Sequence, residues 1–98
     1  MQQSKIQIQE LTFIDPKIVG LSTKTKIGKL TEDQWYIVIN RKSRVIMKDG
    51  ERIERIAAIL KKRDPKSKVA LTTSAPVCSK TTAFLLARGI SIKGLKTN

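Results

Sequence analysis

The final third of the chain carries the clearest pattern of apolar and polar positions. Residues 69–73 form a β-prone run, which the turn residues 74–76 close. Apolar residues then recur at helical spacing from 77 to 88, and Gly89 stands where a helix commonly ends. A two-residue alternation resumes at Ile90. The pattern predicts a strand, a helix and a second strand, in which the helix crosses over between parallel strands.

The beginning of the chain also has an extended pattern. Between Lys5 and Ile14, isoleucine alternates with glutamine, and the alternation slips by one position at Leu11. This predicts either one strand with a bulge near Gln9–Glu10 or two short strands. Asp15-Pro16 ends the segment, because proline has no amide hydrogen to donate to a neighbouring strand.

Residues 17–31 have the composition of a loop or a weak hairpin arm. Lys24 and Lys26 alternate with Thr25, as they would on one face of an extended segment, and Lys29 follows. Such an arm suits a phosphate backbone, to which its ammonium and hydroxyl groups would donate. A solvated loop explains the same residues equally well.

Residues 35–48 predict a β-hairpin. Apolar residues occupy both faces of its two strands, 35–39 and 45–47, which is typical of central strands. The turn between the strands contains more cations than its backbone requires. These cations are Arg41, Lys42 and Arg44, which we predict to be the main contact surface for an anionic partner.

A helix is predicted over about residues 50–63. Ile53, Ile56 and Leu60 form its apolar stripe, and Asp49 can cap its first turn. The cations at 61–63 suit the negative end of the helix dipole.

Together these elements predict a single basic α/β (or α+β) domain that spans residues 1–98. We expect a mixed sheet of four or five strands with a central β-hairpin. Two helices, over about 50–63 and 77–88, should pack on one or both faces of the sheet.

The charge of the chain indicates its partner. Twenty Lys and Arg residues stand against 8 acidic residues, which gives a formal net charge of +12. Because such an excess destabilises a small domain by self-repulsion, we predict an anionic partner, above all nucleic acid (DNA or RNA). A basic surface that serves only solubility is the plainer explanation. With no apolar run of about 18 residues and no signal-peptide core, the sequence predicts a cytoplasmic (intracellular) protein without membrane contact.

The residue types limit the possible chemistry. The chain has no histidine and one cysteine, Cys78, which excludes Ser-His and Cys-His nucleophiles and an internal disulfide. Residues 75–78, Ala-Pro-Val-Cys, resemble the Cys-Pro-Tyr-Cys motif of glutaredoxins, but alanine replaces the leading cysteine. We expect no cofactor and no metal, and favour a protein without catalytic activity.

A second string concerns phosphate binding. Residues 74–81 have the spacing of the P-loop motif GxxxxGK[ST], although serine replaces both glycines and Pro76 removes an amide donor. We therefore expect no nucleotide hydrolysis. What the string retains is a helix start with Ser79 and Lys80, which suits an anion such as a DNA or RNA phosphate.

The order hairpin, helix, strand, helix, strand resembles the core of restriction-endonuclease-like nucleases. In that group the last strand and helix read much like residues 69–74 followed by a helix that ends in Gly89-Ile90. The metal site of the group is Asp … (Asp/Glu)-x-Lys, and the nearest string here is Asp33 … Asn40-Arg41-Lys42. Asparagine in place of the second carboxylate weakens the hold on a divalent cation. The resemblance leaves two alternatives open: an inactive nuclease-like scaffold that binds DNA, or a metal site formed by other residues than these.

We predict a non-catalytic nucleic-acid-binding protein that contacts phosphates through the basic hairpin tip and the arm. One alternative is a small basic module that docks on an acidic protein partner or on a second copy of itself. The other is a degenerate nuclease, which would need Asp33, Asp49 and Glu51 or Glu54 to converge. The scarcity of aromatic residues favours duplex or structured nucleic acid over stacked single strands.

Overall fold

The computed structural model describes residues 5–96. Its strands and helices follow in the order β1 (Ile6–Gln7), β2 (Thr12–Ile14), β3 (Ile27–Thr31), β4 (Gln34–Ile39), α1 (Met47–Arg63), β5 (Lys68–Thr73), α2 (Ser79–Ala87) and β6 (Ser91–Lys96). Short 3-10 turns follow β1 and β2, at Ile8–Glu10 and Pro16–Val19. Neither described helix combines the length and the apolar composition that crossing a membrane requires.

The strands of the described residues form one mixed sheet in the spatial order β1-β6-β5-β4-β3-β2. Strands β4, β5, β6 and β1 run parallel, whereas β3 is antiparallel to β4, and β2 is antiparallel to β3. A single α+β domain with a mixed sheet and two helices is therefore confirmed. The sheet has six strands rather than the expected four or five, because the N-terminal segment forms two short strands that join opposite edges.

Both helices pack on one face of the sheet. Because β4, β5 and β6 lie side by side in chain order, right-handed crossovers place both connecting helices on the same side. Ile53 and Leu60 of α1 and Leu85 of α2 share one core with Ile37 of β4 and Leu71 of β5. The strand, helix and strand predicted for the final third of the chain are thus confirmed.

The opposite face is covered by the N-terminal segment. Strands β1 and β2 pair with opposite edges of the sheet, and only residues 8–11 connect them. That connection reaches at most about 17 Å, whereas the edges of a flat six-stranded sheet would lie roughly 24 Å apart. The sheet therefore curls and encloses a second apolar cluster. The cluster consists of Ile6, Leu11, Tyr36, Val38, Ala70 and Leu95.

The hairpin predicted over residues 35–48 is wrong in its second strand. Strand β4 provides the first strand, but it pairs with β3 in a hairpin over residues 27–39. Part of the segment expected to be a loop or weak arm is therefore a strand of the central hairpin. Val45 makes only an isolated parallel bridge to Val77, so no return strand follows β4.

Helix α1 begins at Met47, ahead of the expected start near residue 50. The carboxylate of Asp49 accepts a hydrogen bond from the backbone amide of Ile46 at 2.9 Å. This bond satisfies one of the amide donors that the start of a helix leaves unpaired. Ile46 and Met47 have apolar side chains that would suit a strand equally well. The hydrogen bond to Asp49 explains why a helix begins here instead.

The cover on the second face predicts unequal effects of two nearby substitutions. Leu11 is 7% exposed and belongs to the second cluster, whereas Phe13 is 47% exposed. Leu11→Ala should lower the free energy of unfolding by about 2–4 kcal/mol, because it leaves a cavity in that cluster. Phe13→Ala should lower it by less than about 1 kcal/mol. Urea unfolding measures both values, and equal losses would contradict the covering role of this segment.

Candidate nucleic-acid interface

The ends of the parallel strands gather several loops at one edge of the sheet. Strands β4 and β5 run side by side, so the segments that follow them leave the sheet together; these are the β4–α1 loop (residues 40–46) and the β5–α2 loop (residues 74–78). Residues 24–26 reach the same edge, because β3 is antiparallel to β4. The carbonyl of Lys26 accepts the amide hydrogen of Val38 at 2.9 Å. We call this end of the sheet, where the parallel strands finish, the C-terminal edge; it is distinct from the lateral edges formed by β1 and β2.

All but one of the residues selected from the sequence lie at the C-terminal edge. They are Lys24 and Lys26 before β3, Arg41, Lys42 and Arg44 in the β4–α1 loop, and Ser79 and Lys80 at the start of α2. Apart from Arg41, which is half-buried, these side chains are exposed. The fold therefore brings together cations that are far apart in the sequence.

Lys29 is the exception and lies towards the opposite edge. Its Nζ is 4.4 Å from the centre of the Trp35 ring and 4.0 Å from Oδ2 of Asp64. It also donates to the carbonyl of Glu32 at 3.2 Å. These contacts stabilise the turn between β3 and β4, and they keep Lys29 away from the other selected residues.

Arg41 holds the β4–α1 loop in its conformation. Its guanidinium donates to the Asp49 carboxylate at 2.6 Å and to the carbonyls of Ser43 and Arg44 at 3.1 Å each. Its backbone amide donates to the hydroxyl of Ser74 at 3.2 Å. Because Nε and Nη2 of its guanidinium are engaged within the edge, Arg41 shapes the loop that presents its exposed neighbours.

Asp49 links this loop to the first turn of α1. Partial burial raises the pKa of its carboxyl, but hydrogen bonds from Arg41 and from the amide of Ile46, with the charges of Arg41 and Arg52, outweigh that effect. The net pKa lies below the ordinary value for aspartic acid. Asp49 is therefore ionised at neutral pH and offsets the charge of Arg41, so the positive potential of the edge comes from its other cations.

Ser74 joins the two loops of the C-terminal edge. Its hydroxyl accepts the amide hydrogen of Arg41 and donates to Oδ1 of Asn40 at 2.9 Å. The sequence singled out Ser74 as a turn residue and as the first residue of the P-loop-like string, but not as a link between two loops. Its position beside Asn40 follows from the pairing of β4 with β5, which the local pattern does not contain.

The P-loop-like string, residues 74–81, does not form a phosphate-wrapping loop. The amides of Ser74 and Cys78 donate to carbonyls of β4 and the β4–α1 loop, and Pro76 has no amide hydrogen. The amide of Ala75 donates to the hydroxyl of Thr73 at 3.0 Å. These bonds leave too few free amides to surround a phosphate, in agreement with the substitution of both motif glycines.

Cys78 lies beside Arg44 at the start of α2. Its Sγ is 2.9 Å from Oγ1 of Thr81, and this hydrogen bond is the main reason why the pKa of the thiol lies below its ordinary value. The backbone amides of Thr81 and Lys80 and the charge of Arg44 lower it further, against a smaller opposing effect of burial. The amide of Cys78 also donates to the carbonyl of Val45 at 3.0 Å, so the β4–α1 loop and the start of α2 share one surface.

A cleft at the same edge brings Arg52 close to Lys24 and Lys26. The cleft lies between residues 24–26, the end of β4 and the first turns of α1. Arg52 is exposed and was not selected from the sequence. Its place in the site depends on the packing of α1 against β4 and residues 24–26, for which no local signal exists.

The acidic residues that a nuclease-type metal site requires do not converge. Asp33 precedes β4 and Asn40 follows it, which separates them by roughly 23 Å at about 3.3 Å per residue. Glu54 pairs with Arg88 at 2.6 Å on the side of α1 that faces α2. Within residues 5–96, no three Cys, Asp or Glu side chains come close enough to hold one metal ion.

Comparison with known proteins adds a likeness of fold. No family model matches the chain, and no curated protein matches it. Among solved structures, the chain is similar to EndoMS in its apo form, with a TM-score of 0.62 and 11% sequence identity over 89% of this chain. The matched region is 37% of the EndoMS chain, so this chain spans little more than a third of that length. At this identity the likeness shows a shared fold alone.

The contacts of Arg41 predict that two adjacent cations differ in their effect on stability. Arg41→Ala removes bonds to a carboxylate and two carbonyls, and should lower the free energy of unfolding by about 1–2 kcal/mol at this partly exposed site. Lys42→Ala, at an exposed position, should change it by no more than about 0.5 kcal/mol. Urea unfolding compares the two variants. If both unfold like the wild type, Arg41 does not anchor the loop.

Proposed function

We propose that this protein binds nucleic acid through phosphate contacts at the C-terminal edge. The contact residues are the exposed polar and cationic side chains of that edge: Lys24, Lys26, Lys42, Arg44, Arg52, Ser79 and Lys80. The observation that carries the proposal is that exposed cations from separate segments of the chain meet at one edge. Lys and Arg side chains placed in this way supply the sequence-independent part of nucleic-acid affinity.

The uneven distribution of acidic residues supports this proposal. Glu32, Asp33 and Asp64 lie towards the opposite edge, around the β3–β4 turn and the end of α1. Asp49 and Glu54 are each paired with an arginine. At the C-terminal edge the exposed cations outnumber the exposed carboxylates of that region, Asp15 and Glu51, and the net positive charge there attracts and orients a polyanion.

The aromatic residues favour phosphate contacts over base stacking. Trp35 and Tyr36 are buried, and Phe84 is half-buried with the guanidinium carbon of Arg88 at 3.7 Å from its ring centre. Phe13 is exposed, but it lies on β2, an edge strand of the sheet. Since the described part of the C-terminal edge offers no exposed aromatic ring, its ligand is held by the backbone rather than by stacked bases.

A nuclease-like scaffold is the second candidate. The likeness of fold to EndoMS, a nuclease, favours it, as does the resemblance in element order to restriction-endonuclease-like nucleases. Incubation of duplex DNA with the protein and Mg²⁺ separates the candidates. Cleavage would favour the nuclease, whereas retained binding to intact DNA would favour a binding protein.

The salt dependence of binding tests the proposed function. Titration with a short DNA duplex should give a log affinity that falls linearly with log salt, by about 0.9 for each phosphate contacted. Lys42→Gln/Arg44→Gln should weaken binding and make the slope shallower by up to about 1.8, because both side chains are exposed at the edge. Affinity that does not change with salt would contradict phosphate binding.

A matched variant controls for net charge. Lys61→Gln/Lys68→Gln removes the same charge from exposed positions outside the C-terminal edge, and should leave the slope near that of the wild type. If the two double variants lose affinity equally, total charge governs binding and the edge does not. Polyglutamate that competes as well as DNA would instead favour the acidic protein partner.

A further inference from the structure

The outer side of α1 carries a further group of cations, which shares only Arg52 with the C-terminal edge. We call this group the basic stripe; it consists of Lys48, Arg52, Arg55, Lys62 and Arg63, all exposed. At 3.6 residues per turn these positions fall on one flank of the helix, around Ile59. That flank points away from the side that buries Ile53 and Leu60 against the sheet.

The basic stripe runs along the whole of α1. The 15 residue steps from 48 to 63 cover about 22 Å at 1.5 Å per residue. Within residues 5–96, none of the five side chains forms an ion pair, although Glu51 is exposed at the border of the stripe. The other flank differs, since Glu54 there pairs with Arg88 beside α2. The unpaired positive charge of α1 is therefore concentrated on one side.

The basic stripe and the C-terminal edge meet at Arg52, which lines the same cleft as Lys24 and Lys26. From this point the cations diverge. Lys42 and Arg44 lie in the loop that precedes α1, whereas the stripe continues along the helix and away from the edge. A ligand that contacts both groups must present negative charge over more than the length of the stripe.

We propose that the ligand is double-stranded, with the basic stripe along the phosphates of one strand and the β4–α1 loop on those of the other. A duplex presents two continuous rows of phosphates on opposite sides of a groove, so it can contact two groups of cations that diverge from one point. A single strand has one row and is usually held through stacked bases, for which the described part of this surface has no exposed ring. The inference rests on the proposed function.

The test compares a stripe variant with a matched control on two ligands. Arg55→Gln/Lys62→Gln removes two stripe cations outside the C-terminal edge, at exposed helix positions where glutamine is well tolerated. Lys61→Gln/Lys68→Gln removes the same charge from positions outside the stripe. The wild type and both variants are titrated with a short DNA duplex and with one of its strands over a series of salt concentrations. Thermal melting followed by circular dichroism confirms that each variant is folded.

On the duplex, the slope of log affinity against log salt should be shallower by up to about 1.8 for the stripe variant. Its affinity at about 0.1 M salt should fall by up to about eightfold for each phosphate contact that is lost. On the single strand it should change by less than about twofold, and the control should follow the wild type on both ligands. Equal losses on duplex and single strand, or a stripe variant that binds the duplex as the control does, would overturn the inference and leave the proposed function intact. A wild type that binds neither ligand would overturn both.

Discussion

Two crossovers between parallel strands determine where this protein can present charge. Because β4, β5 and β6 lie in chain order, α1 and α2 share one face of the sheet, and the loops that precede them share one edge. Ile53, Leu60 and Leu85 are at most 2% exposed and hold the helices in this arrangement. The opposite face must then be covered by another part of the chain. The N-terminal segment covers it, and its short reach makes the sheet curl.

The cations of the chain divide into two kinds according to their neighbours. Lys29, Arg41 and Arg88 each have a carboxylate partner, and they stabilise a turn, a loop and a contact between helices. Within residues 5–96, the exposed cations of the C-terminal edge and the basic stripe form no ion pair. They can exchange their counterions for phosphates without disturbing the fold, which is the physical basis of salt-dependent binding.

The sequence predicted the parts of the fold that local pattern determines. Helix α1 and the strand, helix and strand of the final third are recognisable because their apolar spacing and end signals lie within each element. The second strand of the hairpin predicted over residues 35–48 was wrong. The side chains of residues 45–47 suit a strand, but the hydrogen bond from the amide of Ile46 to Asp49 starts a helix there. The candidate site is predictable only in part, because contacts between distant residues decide which cations are available. Residue type does not distinguish Lys29, which contacts Trp35 and Asp64, from Lys42, which is exposed.

The most direct test of the account is a map of the backbone amides that respond to nucleic acid. In an NMR titration with a short DNA duplex, the amide signals of residues 24–26, the β4–α1 loop and the basic stripe should shift together. Those of residues 31–33, in the β3–β4 turn, should stay in place. Shifts concentrated in that turn, or no shift at any duplex concentration, would contradict the account.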